Sequence, residues 1–434
     1  MLDRLRLENV GPAPTMALDL APRVNILTGD NGLGKSFLLD VAWWSLTRRW
    51  PHEVNRQMTS GFAAQPRDKK APASIAFELT SKTKRIGYTS TWSARDEAWT
   101  GKPGRPWNPG LVIYAHADGA FSVWDPARNY WKKKGNIDTQ DRLPAYVFTH
   151  AAVWDGLEAE VEGKPTLVCN GLVRDWAFWI RGQDENAAAM EAALRALSPA
   201  ADPGGLLRPG KLQRLSINDP RDIPSLETSY AQAVPILHAS SGVRRVTALA
   251  YMLTWSWSEH RLAAERLGEE PTTQIVMLFD EIESHLHPKW QRVILGALRE
   301  LIHTLYAASV QLVVATHSPL VLASAEPWFD PSQDAWFDLD LEGTPPRVEL
   351  RKRVFSPLGT TGNWLTSEAF DLATDRGSVE AEQAVLRALE LLRQPAPPLE
   401  AVMASHKALR AVLPDVDRFW VRWCAFVERC GGAP

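Results

Sequence analysis

The sequence predicts an α/β fold built around a mixed sheet, and three stretches of the chain carry this prediction. Residues 275–279 form a continuous apolar run, which is typical of a parallel strand covered on both faces, and residues 310–316 are predicted as the next buried strand. A third strand, at residues 24–28, runs through a glycine-rich loop into a helix predicted at 36–49. Strands that alternate with helices in this way favour a layered α/β domain.

The glycine-rich loop fits the pattern G-x-x-x-x-G-K-[ST] at every fixed position. Glycine lets the backbone curve closely round a phosphate, and the amides at the start of the helix then face the anion. In this pattern Lys35 reaches the β- and γ-phosphates, and the Ser36 hydroxyl is a ligand of Mg²⁺. A chance glycine turn is the alternative, and the agreement of strand, spacing, Lys-Ser pair and helix argues against it. We therefore expect ATP and Mg²⁺ to bind at Gly29, Asp30, Asn31, Gly32, Leu33, Gly34, Lys35, Ser36 and Phe37.

Acidic residues follow the apolar strand at 275–279 immediately. Because ligands bind at the carboxyl ends of parallel strands, Asp280 is placed to hold Mg²⁺, directly or through water. Glu281 is placed to polarise the water that attacks the γ-phosphate. A helix cap is the alternative for this pair, and the phosphate loop upstream disfavours it. His317 follows the next strand and could touch the γ-phosphate region, although a lone histidine is more often only packed.

A second anion site is predicted where a long helix begins. Ser240, Ser241 and Gly242 open a helix that extends to about residue 260. Serine at a helix start is often an ordinary N-cap, whereas the same geometry also presents hydroxyls and amides to an anion. The sequence leaves both interpretations open.

Composition and charge limit the partners, metal sites and cellular location that can be expected for the protein. The chain has 48 basic and 51 acidic residues and a net charge of −3, so nucleic-acid binding would need a local patch. Arg67, Lys69 and Lys70 form such a cluster, although three basic residues in a loop are more often a solvated surface. His285 and His287 form a His-x-His pair, but no third metal ligand lies nearby in the sequence. The three cysteines make no disulfide framework, and no signal peptide or membrane span is visible, which predicts a cytoplasmic protein.

The remaining segments are predicted to form mainly strands up to about residue 148 and mainly helices after it. Residues 2–9 alternate as a strand, and residues 16–20 are typical of its antiparallel partner. Residues 74–148 contain several short strands that we expect to form one antiparallel sheet, with a polar excursion at 94–109. The pattern then becomes helical, and a Pro/Gly loop is predicted at 199–210.

Taken together, the four motifs resemble those of ABC-type ATPases in type and order. The glycine loop resembles the Walker A motif, and the serine-rich helix start resembles the signature motif. The acidic pair resembles the Walker B motif, and the histidine at the strand end resembles the switch histidine. The longer strings at 280–288 and 315–319 resemble the OLD-type and RecF/SMC-like branch. That branch includes the ATPase subunits of bacterial anti-phage systems such as Septu and PARIS.

The resemblance implies an ABC-type ATPase head at residues 1–330. Its mixed sheet would carry an antiparallel β subdomain and a helical subdomain, inserted within residues 74–235. Residues 331–434 would then form a β-hairpin and a mainly helical tail, which could dock on the head or on a partner. Helices are predicted in this tail at residues 378–392, 399–412 and 417–429.

Two relatives of this branch differ from the chain in sequence. OLD nucleases carry a Toprim domain that needs an Asp-x-Asp motif, which Asp338 and Asp340 superficially match. Apolar residues alternate with these aspartates, as in an edge strand with one wet face, and residues 347–352 are typical of its hairpin partner. A nuclease site is therefore disfavoured. SMC-like proteins insert heptad coiled coils after Walker A, and the absence of sustained heptads here predicts a compact head.

The resemblance also implies a head-to-tail dimer. Each ATP would lie between the glycine loop of one subunit and the serine-rich signature of the other, with Lys35, Glu281 and His317 as the catalytic residues. Residues 285–288 would lie at that interface, which disfavours a metal role for the two histidines. The signature lacks the Leu-Ser-Gly-Gly-Gln string of transporter ATPases, which argues against a transporter motor. No residue of the Q-loop is identifiable from the sequence.

The expected function is that of an ATP-hydrolysing switch that changes its assembly state. We expect it to be the sensor or scaffold of a bacterial anti-phage defence system, acting on a separately encoded effector such as a nuclease. One alternative is a RecF-like DNA-repair ATPase that binds DNA. Another is a scaffold that binds ATP structurally with little turnover.

Overall fold

The computed structural model describes residues 1–81, 84–101, 107–129, 142–161, 163–199, 206–228, 231–306 and 308–433. The polar excursion predicted at 94–109 and the Pro/Gly loop predicted at 199–210 lie partly outside the described residues. The chain divides into two compact units, Met1–Pro357 and Leu358–Pro434.

The strands all belong to the first unit and are numbered in chain order. They are β1 (Leu2–Glu8), β2 (Thr15–Asp19), β3 (Val24–Gly29), β4 (Ser74–Ser81), β5 (Lys84–Ser93), β6 (Ala98–Trp99), β7 (Leu111–Ala115), β8 (Phe121–Trp124), β9 (Tyr146–Phe148), β10 (Leu157–Val161), β11 (Lys164–Cys169), β12 (Arg208–Pro209), β13 (Ser225–Thr228), β14 (Ala231–Pro235), β15 (Gln274–Phe279), β16 (Ser309–Ala315), β17 (Asp334–Glu342) and β18 (Arg347–Arg353).

The helices are numbered in the same way. Those of the first unit are α1 (Lys35–Thr47), α2 (Pro51–Val54), α3 (His150–Asp155), α4 (Leu172–Gly182), α5 (Glu185–Leu197), α6 (Ser241–Arg266), α7 (Pro288–Gln291), α8 (Ile294–Leu305) and α9 (Pro319–Ala323). Those of the second unit are α10 (Thr361–Leu365), α11 (Val379–Arg393), α12 (Leu399–Val412) and α13 (Phe419–Arg429).

An eight-stranded mixed sheet lies at the centre of the first unit, in the order β18-β17-β3-β16-β15-β7-β8-β9. The five strands from β17 to β7 run parallel, whereas β18, β8 and β9 are antiparallel to their neighbours. The three strands predicted from the sequence, β3, β16 and β15, lie side by side with mostly buried side chains. Their carboxyl ends therefore meet at one edge of the sheet.

Helix α1 contacts this sheet on one side and an antiparallel sheet of order β2-β1-β4-β5-β6 on the other. A single apolar cluster joins the three layers and includes Leu5 of β1, Phe77 of β4, Leu39 of α1, Leu278 of β15 and Val313 of β16. Burial of this cluster fixes the start of α1 near the carboxyl ends of the parallel strands. The predicted α/β class, with a mixed sheet, an antiparallel β part and helical parts, is confirmed.

The expectation of a single antiparallel sheet over residues 74–148 is wrong. Strands β4 and β5 pair with β1, whereas β7, β8 and β9 belong to the eight-stranded sheet. Strand β7 lies parallel to β15, and all of its side chains are buried. A short apolar run of this kind does not reveal its partner, because hairpin strands and central strands share the pattern.

The acidic strand β17 is not an edge strand, contrary to the prediction. It pairs with β3 on one side and with β18 on the other, so β18 forms the edge. The buried carboxylate of Asp338 accepts hydrogen bonds from Thr28 Oγ1 at 2.7 Å and from Arg353 Nη2 at 3.2 Å, which compensate its burial. The hairpin therefore belongs to the first unit, and the boundary predicted at residue 330 falls inside that unit.

The helical part of the first unit is built mainly from α4, α5 and α6. Helix α5 packs against α6 and also contacts α8. Helix α6 extends beyond its predicted end at about residue 260 and reaches Arg266. In the described part of the chain, no helix is long and apolar enough to cross a membrane.

The second unit has an apolar core of its own. Helices α11, α12 and α13 lie close to their predicted positions and share the core cluster. Its buried members include Ala388, Val402, Leu409, Trp423 and Phe426.

Candidate functional site

The glycine loop joins β3 to α1, and two of its glycines are required by the local geometry. Gly29 has a φ of 127°, and a Cβ atom there would lie 2.1 Å from the carbonyl oxygen of Leu339. Gly34 has a φ of 103°, and a Cβ atom there would lie 2.6 Å from Pro12 Cγ. Both positions combine a left-handed backbone with close packing, which only glycine accommodates.

Lys35 lies at the first position of α1 and is buried within the loop. Its Nζ donates hydrogen bonds to the carbonyl oxygens of Gly29 at 2.6 Å and Asp30 at 2.8 Å. Burial lowers the pKa of Lys35 to about 8, although the nearby charges of Asp280 and other carboxylates oppose this shift. The ammonium group is therefore held at the glycine loop, within electrostatic reach of the carboxyl end of β15.

Asp280 follows β15 directly, and its side chain is buried beside Ser36. Its backbone amide donates to the carbonyl of Ala115 at 2.9 Å, and its carboxylate accepts a hydrogen bond from the Ser36 hydroxyl. Burial raises the pKa of Asp280 to about 6, with repulsion from Glu281 and Glu283 adding to the shift. The buried Oδ1 atom of Asp280 has no hydrogen-bond partner. A hydroxyl and an unsatisfied carboxylate oxygen are suitable donors for a hard cation such as Mg²⁺.

Glu281 is half-buried and follows Asp280 in a left-handed conformation, with a φ of 47°. This conformation is uncommon for a residue with a side chain and costs of order 1–3 kcal/mol. The backbone amide of Ser284 donates to the Glu281 carbonyl at 2.9 Å, which closes the turn. The charge of Glu281 acts on both Lys35 and His317, so the turn places this carboxylate near the glycine loop.

Glu283 connects the loops that follow β15 and β16, and the sequence analysis missed it. Its Oε2 accepts from Thr316 Oγ1 at 2.8 Å, and its Oε1 accepts from the His317 amide at 2.5 Å. Burial raises the pKa of Glu283, while these hydrogen bonds oppose the rise. The only sequence signal for Glu283 is that it is a second glutamate two residues beyond Glu281. The groups that bond to it follow another strand, β16, and cannot be recognised from the local sequence.

His317 follows β16 and is directed to the glycine loop. Its ring donates a hydrogen bond to the carbonyl of Gly29. Burial and the nearby charge of Lys35 lower the pKa of His317. The structure therefore brings the glycine loop, the Asp280 and Glu281 pair, and His317 together at one edge of the sheet.

The serine-rich start of α6 lies against the loop that follows β15. Ser240 caps the helix, since its Oγ accepts from the Val243 amide at 3.4 Å, and both Ser240 and Ser241 are exposed. A Cβ atom on Gly242 would lie 2.7 Å from the carbonyl oxygen of His285. The N-cap interpretation of Ser240 is thus realised, and the helix start remains open to solvent.

A second contact attaches α6 to the strand beside β15. Arg245 Nη2 donates to the carbonyl of His116 at 2.7 Å, and His116 follows β7 directly. The ring of His116 is buried between the hydroxyls of Ser60 and Ser122, and burial lowers its pKa to about 3. His116 therefore occupies the loop nearest to Asp280 on the β7 side.

The two histidines after the acidic pair have structural contacts. His287 caps α7, because its Nδ1 accepts from the Lys289 amide at 3.2 Å. His285 adopts a φ of 64° at the contact with Gly242. Within the described ranges, no group of three or more His, Cys, Asp or Glu side chains is arranged to hold a metal ion.

The fold and the site define a P-loop protein of the ATPase class. A model of the family described as "AAA domain, putative AbiEii toxin, Type IV TA system" matches residues 24–323, and the chain belongs to this family. No curated protein matches the chain.

Several solved structures are similar to the chain at low identity. The SMC head domain from Thermotoga maritima is 13% identical with a TM-score of 0.40, and the match covers 82% of this chain and 99% of that one. An SMC head domain with an extended coiled coil, bound to the C-terminal domain of ScpA and derived from Pyrococcus furiosus, is 12% identical with a TM-score of 0.40. That match covers 81% of this chain and 96% of the other.

Proposed function

We propose that the protein binds and hydrolyses ATP with Mg²⁺ and uses the reaction to switch its assembly state. One observation carries this proposal: the unpartnered, buried carboxylate oxygen of Asp280 lies beside Ser36 at the glycine loop. A buried carboxylate oxygen without a partner is costly, and a bound cation would satisfy it. Membership of a P-loop family supports the same activity.

Each residue of the site then has a definite role. The loop amides and Lys35 bind the phosphates, and Ser36 and Asp280 hold the cation, which neutralises charge on the β- and γ-phosphate oxygens. Glu281 accepts a proton from the attacking water. His317, which is held at Gly29, contacts the γ-phosphate region.

The position of α6 supports dimerisation through composite sites. Its first turn exposes Ser240 and Ser241, and its N-terminal amides favour an anion. The same turn packs on the loop of His285, so a nucleotide bound there would sense the carboxyl end of β15. We propose that these groups bind the γ-phosphate of ATP held by a second copy of the chain, related head to tail.

We further propose that the switch serves a bacterial anti-phage defence system, with a separate effector such as a nuclease. The family description, which names a toxin of a type IV TA system, supports a role beside a second component. The cytoplasm, where ATP and phage nucleic acid are both present, is the proposed location.

One observation favours the DNA-repair alternative. The loop that carries Arg67, Lys69 and Lys70 is exposed and is tied to Asn9, whose Nδ2 donates to the carbonyl of Asp68 at 2.8 Å and whose Oδ1 accepts from the Asp68 amide at 3.0 Å. A fixed loop with three cations could contact a phosphate backbone. DNA-stimulated hydrolysis that Lys69→Ala reduces would favour this alternative.

The proposal is tested by nucleotide binding to a Lys35→Ala variant. Removing the ammonium group should abolish measurable binding of a fluorescent ATP analogue in equilibrium titrations, because its charge is held at the phosphate loop. Lys69→Ala is the matched control, since it removes an exposed lysine outside this loop and should leave the affinity unchanged. Equal affinities for Lys35→Ala and the wild type would overturn the assignment.

A further inference from the structure

Asp40 is a carboxylate of α1 that the proposed function does not use. It lies one helical turn after Ser36, so the two side chains share a face of the helix. Tyr114 Oη donates to Asp40 Oδ1 at 3.0 Å, and the backbone amide of Gly61 also donates to this carboxylate. Two separate parts of the chain, β7 and the loop at Gly61, therefore fix the orientation of Asp40.

This anchored carboxylate lies within electrostatic reach of the Asp280 carboxylate. Strand β7 runs parallel to β15, with Tyr114 opposite Leu278, and the Asp280 amide donates to the carbonyl of Ala115. Burial raises the pKa of Asp40 to about 7, and the charge of Asp280 contributes to the rise. Ser36 therefore has Asp280, which follows β15, beside it and Asp40 one turn further along the same face of α1.

Two carboxylates within electrostatic reach of each other, one buried and one half-buried, repel each other unless a cation or a proton neutralises them. Lys35 is the nearby ammonium group, and its Nζ is already bonded to two carbonyl oxygens of the loop. The Oδ1 atom of Asp280, a side chain that is nearly fully buried, has no partner. This arrangement supplies oxygen donors of the type that Mg²⁺ and Mn²⁺ prefer.

We propose that Asp40 is a positioning residue of the metal site, where it acts through water on the cation held by Ser36 and Asp280. The inference rests on the proposed function, because the cation enters with the nucleotide. Supporting carboxylates of this kind usually raise metal affinity by about 10- to 100-fold. Asp40 is not required for binding of the nucleotide without metal, since the loop amides and Lys35 bind the phosphates.

A purely structural role is the competing explanation, and the chain contains a matched example of it. Asp175 on α4 accepts a hydrogen bond from Tyr251 Oη at 2.8 Å and another from Asn170 Nδ2 at 2.8 Å. Burial also raises the pKa of Asp175. This pair ties α4 to α6 outside the glycine-loop site, so Asp175→Asn controls for loss of a buried carboxylate bonded to tyrosine.

The test is a titration of the full chain with Mn²⁺, in which electron paramagnetic resonance reports free Mn²⁺ in the presence of a non-hydrolysable ATP analogue. Asp40→Asn keeps an acceptor for Tyr114 and should raise the Kd for Mn²⁺ by about tenfold or more. Asp175→Asn should leave this Kd unchanged. In EDTA, the wild type, Asp40→Asn and Asp175→Asn should bind the ATP analogue with the same affinity.

The outcomes separate this inference from the proposed function. A Kd for Mn²⁺ within twofold of wild type in folded Asp40→Asn would overturn the metal role and leave a structural tie. If Asp40→Asn does not fold, Tyr114→Phe decides the question, because loss of its hydrogen bond should raise the same Kd by a smaller factor. Failure of the wild type to bind the analogue in EDTA would instead refute the proposed function itself.

Discussion

Neighbouring carboxylates at the end of β15 have different environments and therefore different roles. Asp280 is buried beside Ser36 with one oxygen unsatisfied, which suits a cation. Both oxygens of Glu283 accept hydrogen bonds from the loop after β16, so this residue holds the two loops together. Glu281 lies between them in a left-handed turn and is the proposed general base.

Glu281→Gln should slow ATP hydrolysis by about 10²- to 10⁴-fold and leave nucleotide affinity close to wild type. The amide keeps the size of the side chain but cannot accept a proton from the attacking water. Steady-state phosphate release and equilibrium binding measure the two quantities separately. Glu265→Gln, at an exposed position of α6, is the matched control and should hydrolyse ATP normally. An unchanged rate in Glu281→Gln would require another base.

At the scale of elements, the start of α6 connects the proposed dimer contact with the proposed hydrolytic site. Its first turn is exposed at Ser241, while Gly242 packs on His285 and Arg245 bonds to the carbonyl of His116. A ligand that binds this turn would therefore press on both loops beside Asp280. This arrangement gives the proposed partner nucleotide a direct mechanical connection to the hydrolytic site.

Ser241→Arg should block association of two subunits around ATP, because a long charged side chain would fill the space that the partner's phosphate needs. Nucleotide binding to one subunit should be retained, and turnover should fall to the level of an isolated subunit. Ala188→Arg, an exposed position in the first turn of α5, controls for an added arginine. Hydrolysis at the wild-type rate by Ser241→Arg would refute composite sites.

The sequence predicts those elements that can be recognised from their own residues, without knowledge of the strands that pair with them. The glycine loop is predicted from its fixed spacing, and strands β3, β15 and β16 are predicted from their largely apolar or β-branched composition. Strand β7 was assigned to the wrong sheet, and β17 to an edge, because strand order is set by contacts distant in sequence. The sequence pattern predicts Asp338 as a surface residue, whereas in the structure its carboxylate accepts hydrogen bonds from Thr28 and Arg353.

The same limit applies to the candidate site. Lys35, Asp280 and His317 were predicted because their motifs are local, and the structure brings them to one edge of the sheet. Glu283 and Asp40 were missed, since their partners lie on β16 and β7. A single sequence carries no signal for such pairs.

For the whole molecule, the family match and the compact units divide the chain differently. The match ends at residue 323, whereas the first unit continues through the β17–β18 hairpin to Pro357. The hairpin is fixed to the glycine-loop strand, because β17 pairs with β3 up to Gly29 and Asp338 bonds Thr28. Leu358–Pro434 lies beyond the match and has its own core, which makes it the proposed site for a role specific to this chain.

The most direct test of an ATP-driven switch is the native mass of the Glu281→Gln variant of this chain, purified from its own host. The chain has a mass of 48.3 kDa, and the account predicts twice this mass with ATP and Mg²⁺ but a monomer with ADP. A second polypeptide in fixed ratio would add support for a separate effector. A mass of 48.3 kDa in every nucleotide state would contradict the account, because a slowed hydrolysis step should trap the closed dimer.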